Sequence, residues 1–198
     1  GADVIFKSVF YWLGGPRAVL GFEVGLVLIG VFVVARDWRR NPGGLRAGVF
    51  GGMVAESAVL AILVGVVLGR LTATLVHYLA VADGPTLGTS TKLMISLGAG
   101  FYEELLFRVV LVGALSALGT RVLNWTPRVA GVVACLLGAL LFSAFHYVGP
   151  YGDQLQISSF VFRFLAGLTF SAMYLLRGFG ITAWTHALYD IFVTLGGG

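Results

Sequence analysis

Two adjacent carboxylates, Glu103 and Glu104, lie in the middle of an apolar stretch that runs from Leu93 to Leu118. Such a stretch is long enough to cross a bilayer, where an unpaired charge is costly and usually functional. Arg108 follows Glu104 by four residues, so these two share a helix face and can form an internal ion pair. Glu103 is rotated by about 100° from Glu104 at 3.6 residues per turn. It has no local partner, which suits a general base.

Two further groups of polar residues lie in later apolar stretches. Phe142 precedes His146 by one helical turn, and His186 precedes Asp190 by the same spacing. A histidine and a carboxylate one turn apart can hydrogen-bond to each other or face a common cavity. Each group alone has an ordinary explanation: the acids as an interhelical polar network, His146 as an interfacial residue. Together, on three segments, they indicate a buried acid–base site.

The composition indicates the elements that must position these residues. The chain has 198 residues, of which 58% are hydrophobic and only 11% charged. Soluble domains have roughly a quarter charged residues, so the sequence predicts an all-α, polytopic transmembrane helix bundle. A span needs about 20 mainly apolar residues, and on that basis we expect six. They cover residues 17–36, 47–69, 93–118, 129–147, 158–177 and 180–195.

The remaining features support one membrane domain over residues 1–198. Residues Val4 to Leu13 are too short to span and rich in aromatic side chains, which predicts an interfacial N-terminal helix. Apolar residues continue from Leu71 to Ala82, so the second helix can extend or be followed by an interfacial one. The pairs Gly21/Gly25 and Gly48/Gly52 have helix-packing spacing. Cys135 is the only cysteine, and we expect it to be a small buried hydrophobic residue.

Basic residues in the connections predict the orientation of the spans. They flank the first, third and fifth connections, which the positive-inside rule places in the cytoplasm. Glu103 then lies nearer the outer end of its span, so the site is predicted to open outward. The same distribution gives no nucleic-acid surface, and we expect no nucleic-acid partner. The basic residues concerned are Arg36, Arg39, Arg40, Arg46, Arg121, Arg128 and Arg177.

The ordered motifs resemble those of the CPBP family. They are Glu103-Glu104-x-x-x-Arg108, Phe142-x-x-x-His146 and His186-x-x-x-Asp190, on successive apolar segments. This family includes type II CAAX prenyl endopeptidases, bacteriocin-processing and self-immunity proteins, and prokaryotic sorting proteases. The resemblance covers about residues 92–195, the expected catalytic core. It implies an integral, multi-pass protein of the prokaryotic cytoplasmic membrane that cleaves a peptide or protein substrate among membrane lipids.

The resemblance also implies roles for the six residues. Glu103 and His146 would activate a water molecule, and His186 and Asp190 would line an oxyanion site. Arg108 would hold the two adjacent glutamates, Glu103 and Glu104, in place. Many family members have asparagine where this chain has Asp190, and aspartate donates a hydrogen bond only when protonated. Asp190 can instead orient His186 as an acceptor. No cofactor or metal is implied.

Three other interpretations remain open at this point. Two glutamates and two histidines could ligate zinc, although His-Glu-x-x-His is missing. A non-catalytic immunity or regulatory protein could keep the same fold and use its cavity for binding. Glu23 and Glu56 in the first two spans could belong to ion-coupled transport, but a hydrogen bond between helices or a place on a water path suits so few spans better.

Overall fold

The computed structural model describes residues 2–40, 46–75, 88–148 and 153–196. Every regular element in these ranges is helical. Seven α-helices and one π-helical segment, which follows α3, make up the described part of the chain. They are α1 (Ala2–Arg40), α2 (Ala47–Leu75), α3 (Thr89–Glu104), the π segment (Leu105–Val112), α4 (Gly113–Arg121), α5 (Pro127–Phe145), α6 (Ile157–Arg177) and α7 (Phe179–Leu195).

Each predicted span coincides with helix, and the prediction of an all-α membrane bundle is confirmed. Within the described residues, four helices are long and apolar enough to cross a bilayer: Lys7–Arg40, Ala47–Leu75, Pro127–Phe145 and Ile157–Arg177. The predicted third span corresponds to α3, the π segment and α4 in succession, and the sixth to α7, which has 17 residues. The total of six spans stays a prediction. The second helix extends to Leu75, and the remaining apolar residues up to Ala82 lie outside the described ranges.

Helix α1 reverses direction at a glycine pair near its start. Gly14 and Gly15 have non-helical backbone angles, and Gly15 has a φ of 64°, which favours glycine. The rings of Phe10 and Phe22 stack with centroids 4.5 Å apart. Twelve residues of straight helix would separate them by about 18 Å at 1.5 Å per residue. The N-terminal helix predicted from the sequence therefore folds back along the first long helix.

The two isolated acids of the first helices form ion pairs. Glu23 pairs with Lys7 across the α1 reversal, at 3.1 Å between Oε1 and Nζ. Glu56 accepts a hydrogen bond from Arg177, which joins α2 to the end of α6. The predicted role of Glu56 as an interhelical contact is confirmed. Both pairs are substantially exposed and lie apart from the residues discussed below.

Close contact between α3 and α7 depends on Gly100. A Cβ atom at this position would lie 2.6 Å from the backbone nitrogen of Ala187, so only glycine fits. This contact places the end of α3 beside His186. The predicted packing role of Gly21/Gly25 and Gly48/Gly52 is wrong within the described ranges, because no described atom there lies within 4 Å of a Cβ added at any of the four. Helix spacing alone does not show which glycine face meets a neighbour.

Candidate active site

Glu104 lies at the centre of a buried ion-pair network. Its Oε2 is 3.0 Å from Nε of Arg108, and its Oε1 accepts a hydrogen bond of 2.8 Å from Nδ1 of His186. The side chains of Glu104 and Arg108 are almost completely buried. The predicted pair between Glu104 and Arg108 is confirmed. The contact with His186, which is 82 residues away, could not be derived from helical spacing.

The π segment begins directly after the two glutamates. Its wider turn, with i to i+5 hydrogen bonds, is rare and often found at functional sites. It carries Arg108, whose guanidinium lies over the rings of Phe142 and Phe170, at 4.7 and 5.7 Å from their centroids. Nη2 of Arg108 also donates to the backbone oxygen of Gly167 at 3.5 Å. Arg108 thus fixes Glu104 against α5 and α6.

Glu103 has quite different surroundings from its neighbour. Its side chain is buried, with 7% of the residue exposed, and it faces a cavity together with His146, His186 and Asp190. No hydrogen bond or ion pair joins it to another described residue. The expectation that Glu103 and Glu104 point in different directions is confirmed. One carboxylate is fixed by two partners, whereas the other is available to a molecule in the cavity.

His146 lies just beyond the last residue of α5. Its Nδ1 donates to the backbone oxygen of Phe142 at 2.7 Å, since a carbonyl can only accept. This bond leaves Nε2 as the ring nitrogen that can accept a proton or a hydrogen bond. The ring also contacts Phe142 edge to face, with centroids 4.8 Å apart. His146 is therefore held in one orientation and one tautomer beside the cavity.

His186 is held from two sides on α7. Its ring stacks on Phe170 with centroids 4.7 Å apart, and its Nδ1 is bonded to Glu104. Nε2 lies 3.6 Å from Oδ2 of Asp190, which is too long for a hydrogen bond. Of the two predicted arrangements, the structure has the one in which His186 and Asp190 jointly face a cavity.

A cavity of about 190 Å³ brings these groups together from α3, α5, α6 and α7. Four of the six predicted site residues line it, while Glu104 and Arg108 are not among the lining residues and support His186. The cavity has room for a water molecule and part of a peptide backbone. Its walls are Glu103, Phe142, His146, Phe162, Arg163, Ala166, Phe170, His186, Tyr189 and Asp190.

Two polar lining residues were missed from the sequence. Tyr189 follows His186 on α7 and packs against Gly65 of α2, where an added Cβ would lie 3.2 Å from the ring. Arg163 lies in the second turn of α6. A charged residue inside the predicted span 158–177 is itself a signal of function, and that signal could have found Arg163. Tyr189 gave no comparable signal.

A zinc centre would need side-chain donors grouped around one ion. Within the described ranges, no three His, Cys, Asp or Glu side chains are grouped as ligands for one ion. Both oxygens of Glu104 already face Arg108 and His186, and Nδ1 of His146 is bonded to a carbonyl. The positive charge of the Arg108 guanidinium would also repel a metal cation bound to this network. Cys135 is free and buried, as expected for a small hydrophobic residue.

The fold and the site define a helical membrane protein with an acid–base cavity between its helices. Residues 86–192 match the family model of Type II CAAX prenyl endopeptidase Rce1-like. The match covers more than half of the chain, and the chain belongs to this family. The family prediction is confirmed, and the protein is an integral membrane protease of the CAAX type in general. Comparisons with curated proteins and with solved structures found no match.

Proposed function

We propose that this protein is an intramembrane endopeptidase that hydrolyses a peptide bond with a water molecule activated by Glu103 and His146. The observation that carries this proposal is the cavity that both side chains line. Glu103 has no described partner, and Nε2 of His146 is left as an acceptor by the bond at Nδ1. Two bases that face one small space can hold a water molecule between them.

The proposed reaction needs only this water and the peptide. The water oxygen attacks the carbonyl carbon as Glu103 takes one of its protons, while His146 accepts a hydrogen bond from the other. The carbon–nitrogen bond then breaks, and the proton on Glu103 passes to the departing amine nitrogen. One product gains a new carboxyl terminus and the other a new amino terminus. Proton transfer of this kind contributes about 10²–10⁴-fold to the rate.

His186 is suited to stabilise the oxyanion that forms during this attack. Its Nδ1 is bonded to Glu104, so Nε2 of the protonated ring is the donor that faces the cavity. Oxygens of Glu104 and Asp190 lie 2.8 and 3.6 Å from its two ring nitrogens. Donors placed where charge develops are often the largest contribution to catalysis. Arg108 supports this arrangement indirectly, since it fixes the carboxylate that orients His186.

We expect Asp190→Asn to retain or raise activity at neutral pH. His186 is already oriented by Glu104, and the 3.6 Å gap to Asp190 is too long for an orienting bond. An amide can donate to the oxyanion without being protonated, whereas a carboxylate cannot. The measurement is kcat of the purified variant against wild type. A loss above about a hundredfold, or 2.7 kcal/mol of barrier, would instead assign Asp190 the orienting role.

The position of the cavity supports an outward-facing site. The end of α5 and the start of α6 are joined near His146, where Tyr147 donates to Ser159 and Ser143 donates to the backbone oxygen of Phe160. The opposite ends of the same two helices carry Arg128 and Arg177, which the positive-inside rule places in the cytoplasm. We infer a substrate that is exported or membrane-associated, cut near its C-terminus. The prokaryotic cytoplasmic membrane is the inferred location.

Peptide turnover by purified protein tests this function against its alternatives. Wild-type protein in lipid vesicles should cleave a pool of apolar peptides, with new termini read by mass spectrometry. Prolonged treatment with a strong chelator should leave the rate unchanged, because the proposed bases act on water without a metal. Loss of activity that zinc restores would favour the metalloprotease alternative. No cleavage of any peptide would favour a non-catalytic immunity or regulatory protein.

A further inference from the structure

Among the described residues that line the cavity, Arg163 is the one arginine or lysine. The other charged lining side chains, Glu103 and Asp190, are acidic, and the lining histidines are His146 and His186. Arg163 keeps 24% of its side chain exposed, so a ligand can reach it. A permanent cation beside two carboxylates divides the cavity into a part that repels an anion and a part that attracts one.

The guanidinium of Arg163 is held by two neighbours. Nη2 donates to Oδ2 of Asp153 at 2.5 Å, and the Tyr147 ring lies 5.0 Å below the guanidinium carbon. Tyr147 is itself fixed by the hydrogen bond to Ser159. The backbone nitrogen of Asp153 also donates to the backbone oxygen of His146 at 2.9 Å. Arg163 is thus connected to the same turn that positions a proposed catalytic base.

One nitrogen of this guanidinium is unused. Nη1 of Arg163 is buried and has no hydrogen-bond partner among the described residues. A buried donor without an acceptor costs free energy, and a water molecule, an ion or a ligand with an acceptor atom can satisfy it. Guanidinium groups recognise carboxylates through parallel N–H donors. The unused donor therefore points to an anionic ligand with oxygen acceptors.

We propose that Arg163 binds the free C-terminal carboxylate of the substrate and so selects cleavage close to the end of the chain. This inference rests on the proposed function and adds a specificity-determining residue to it. Because Arg163 and the catalytic groups share a cavity of about 190 Å³, only a short tail separates the bound carboxylate from the scissile bond. Glu103 and Asp190 repel the same carboxylate. The terminal carboxylate is therefore excluded from their side of the cavity and binds on the side of Arg163.

The test compares two pools of apolar peptides with randomised last residues, one with free C-terminal carboxylates and the other with C-terminal amides. Vesicles of neutral phosphatidylcholine avoid competition from anionic lipid. Wild-type protein should cleave the acid pool about 10- to 100-fold more efficiently, the range for one charge-assisted hydrogen bond. Arg163→Gln should lose this preference through a higher KM for the acids alone. Arg163→Lys should keep part of it.

Two control variants separate recognition from structure. Arg177→Gln removes another ion-paired arginine of α6 that does not line the cavity, and it should leave the preference unchanged. Asp153→Asn removes the partner of Arg163 but not the cation, and the preference for acids should remain. Equal cleavage of both pools by wild type, or an equal loss on both pools in Arg163→Gln, would overturn the inference.

Binding distinguishes failure of this inference from failure of the proposed function. The Glu103→Gln protein keeps Arg163, so it should bind fluorescent peptides of the acid pool more tightly than those of the amide pool. Such binding without any wild-type turnover would keep the role of Arg163 and remove the protease. Turnover and binding that are equal for C-terminal carboxylates and amides would support the protease function and contradict the role of Arg163.

Discussion

Glu103→Gln should reduce peptide cleavage by about 10²–10⁴-fold while the protein stays folded, because general-base catalysis contributes on that scale. Glu103 has no hydrogen-bonding partner among the described residues, so its neutralisation leaves no other group unpaired. The variant should melt at the wild-type temperature or above it, since a buried charge is removed. Both kcat and the melting temperature are measured on protein purified in the same detergent.

His146→Ala should cause a loss of similar size, because His146 presents Nε2 to the same cavity. Its effect should not multiply with that of Glu103→Gln, since residues that act on one water molecule lose their function together. A double variant that loses the product of the two single losses would mean that the residues act independently. Wild-type turnover in Glu103→Gln would exclude this glutamate as the base.

Glu104→Gln should damage both stability and activity, in contrast to the change at its neighbour. The substitution leaves Arg108 buried without its carboxylate, a loss of roughly 3–5 kcal/mol for a well-buried pair. It also weakens the bond that orients His186, so activity should fall together with stability. Unfolding in denaturant gives the first quantity, and turnover below the melting temperature gives the second.

Glu56→Gln is the matched control for Glu104→Gln. It also breaks a glutamate–arginine pair between helices, but the side chains of Arg177 and Glu56 are 51% and 41% exposed. Exposed pairs contribute at most about 1 kcal/mol. A stability loss in Glu104→Gln no larger than that of Glu56→Gln would contradict the central role assigned to the buried network.

Most of the helix positions could be predicted because apolar length is a strong signal in a membrane protein. Thr126 and Pro127 at the start of α5 and Gly178 between α6 and α7 also mark helix limits by known preferences. The reversal at Gly14 and Gly15 was anticipated only as a separate N-terminal helix. The π segment was not predicted, since a wider turn has no simple pattern of residue types.

The site was predictable within each helix but not between helices. Spacing of four residues correctly paired Glu104 with Arg108, since that relation is local. The bond from His186 to Glu104 depends on the close approach of α3 and α7 at Gly100, which spacing within one helix does not reveal. The same limit explains why the wrong glycines were assigned to packing. That the three motifs belong to one site was predicted from the family resemblance, which depends on the order of the motifs along the chain.

The most direct test of the central claim is turnover in water labelled with the heavy oxygen isotope. Wild-type protein in lipid vesicles is incubated with the acid peptide pool, and the products are analysed by mass spectrometry alongside Glu103→Gln. We predict new C-termini that each carry one heavy oxygen from water in the wild type, and at most a trace of them in the variant. Absence of labelled termini from wild type, or equal amounts from Glu103→Gln, would contradict peptide hydrolysis by water that Glu103 activates.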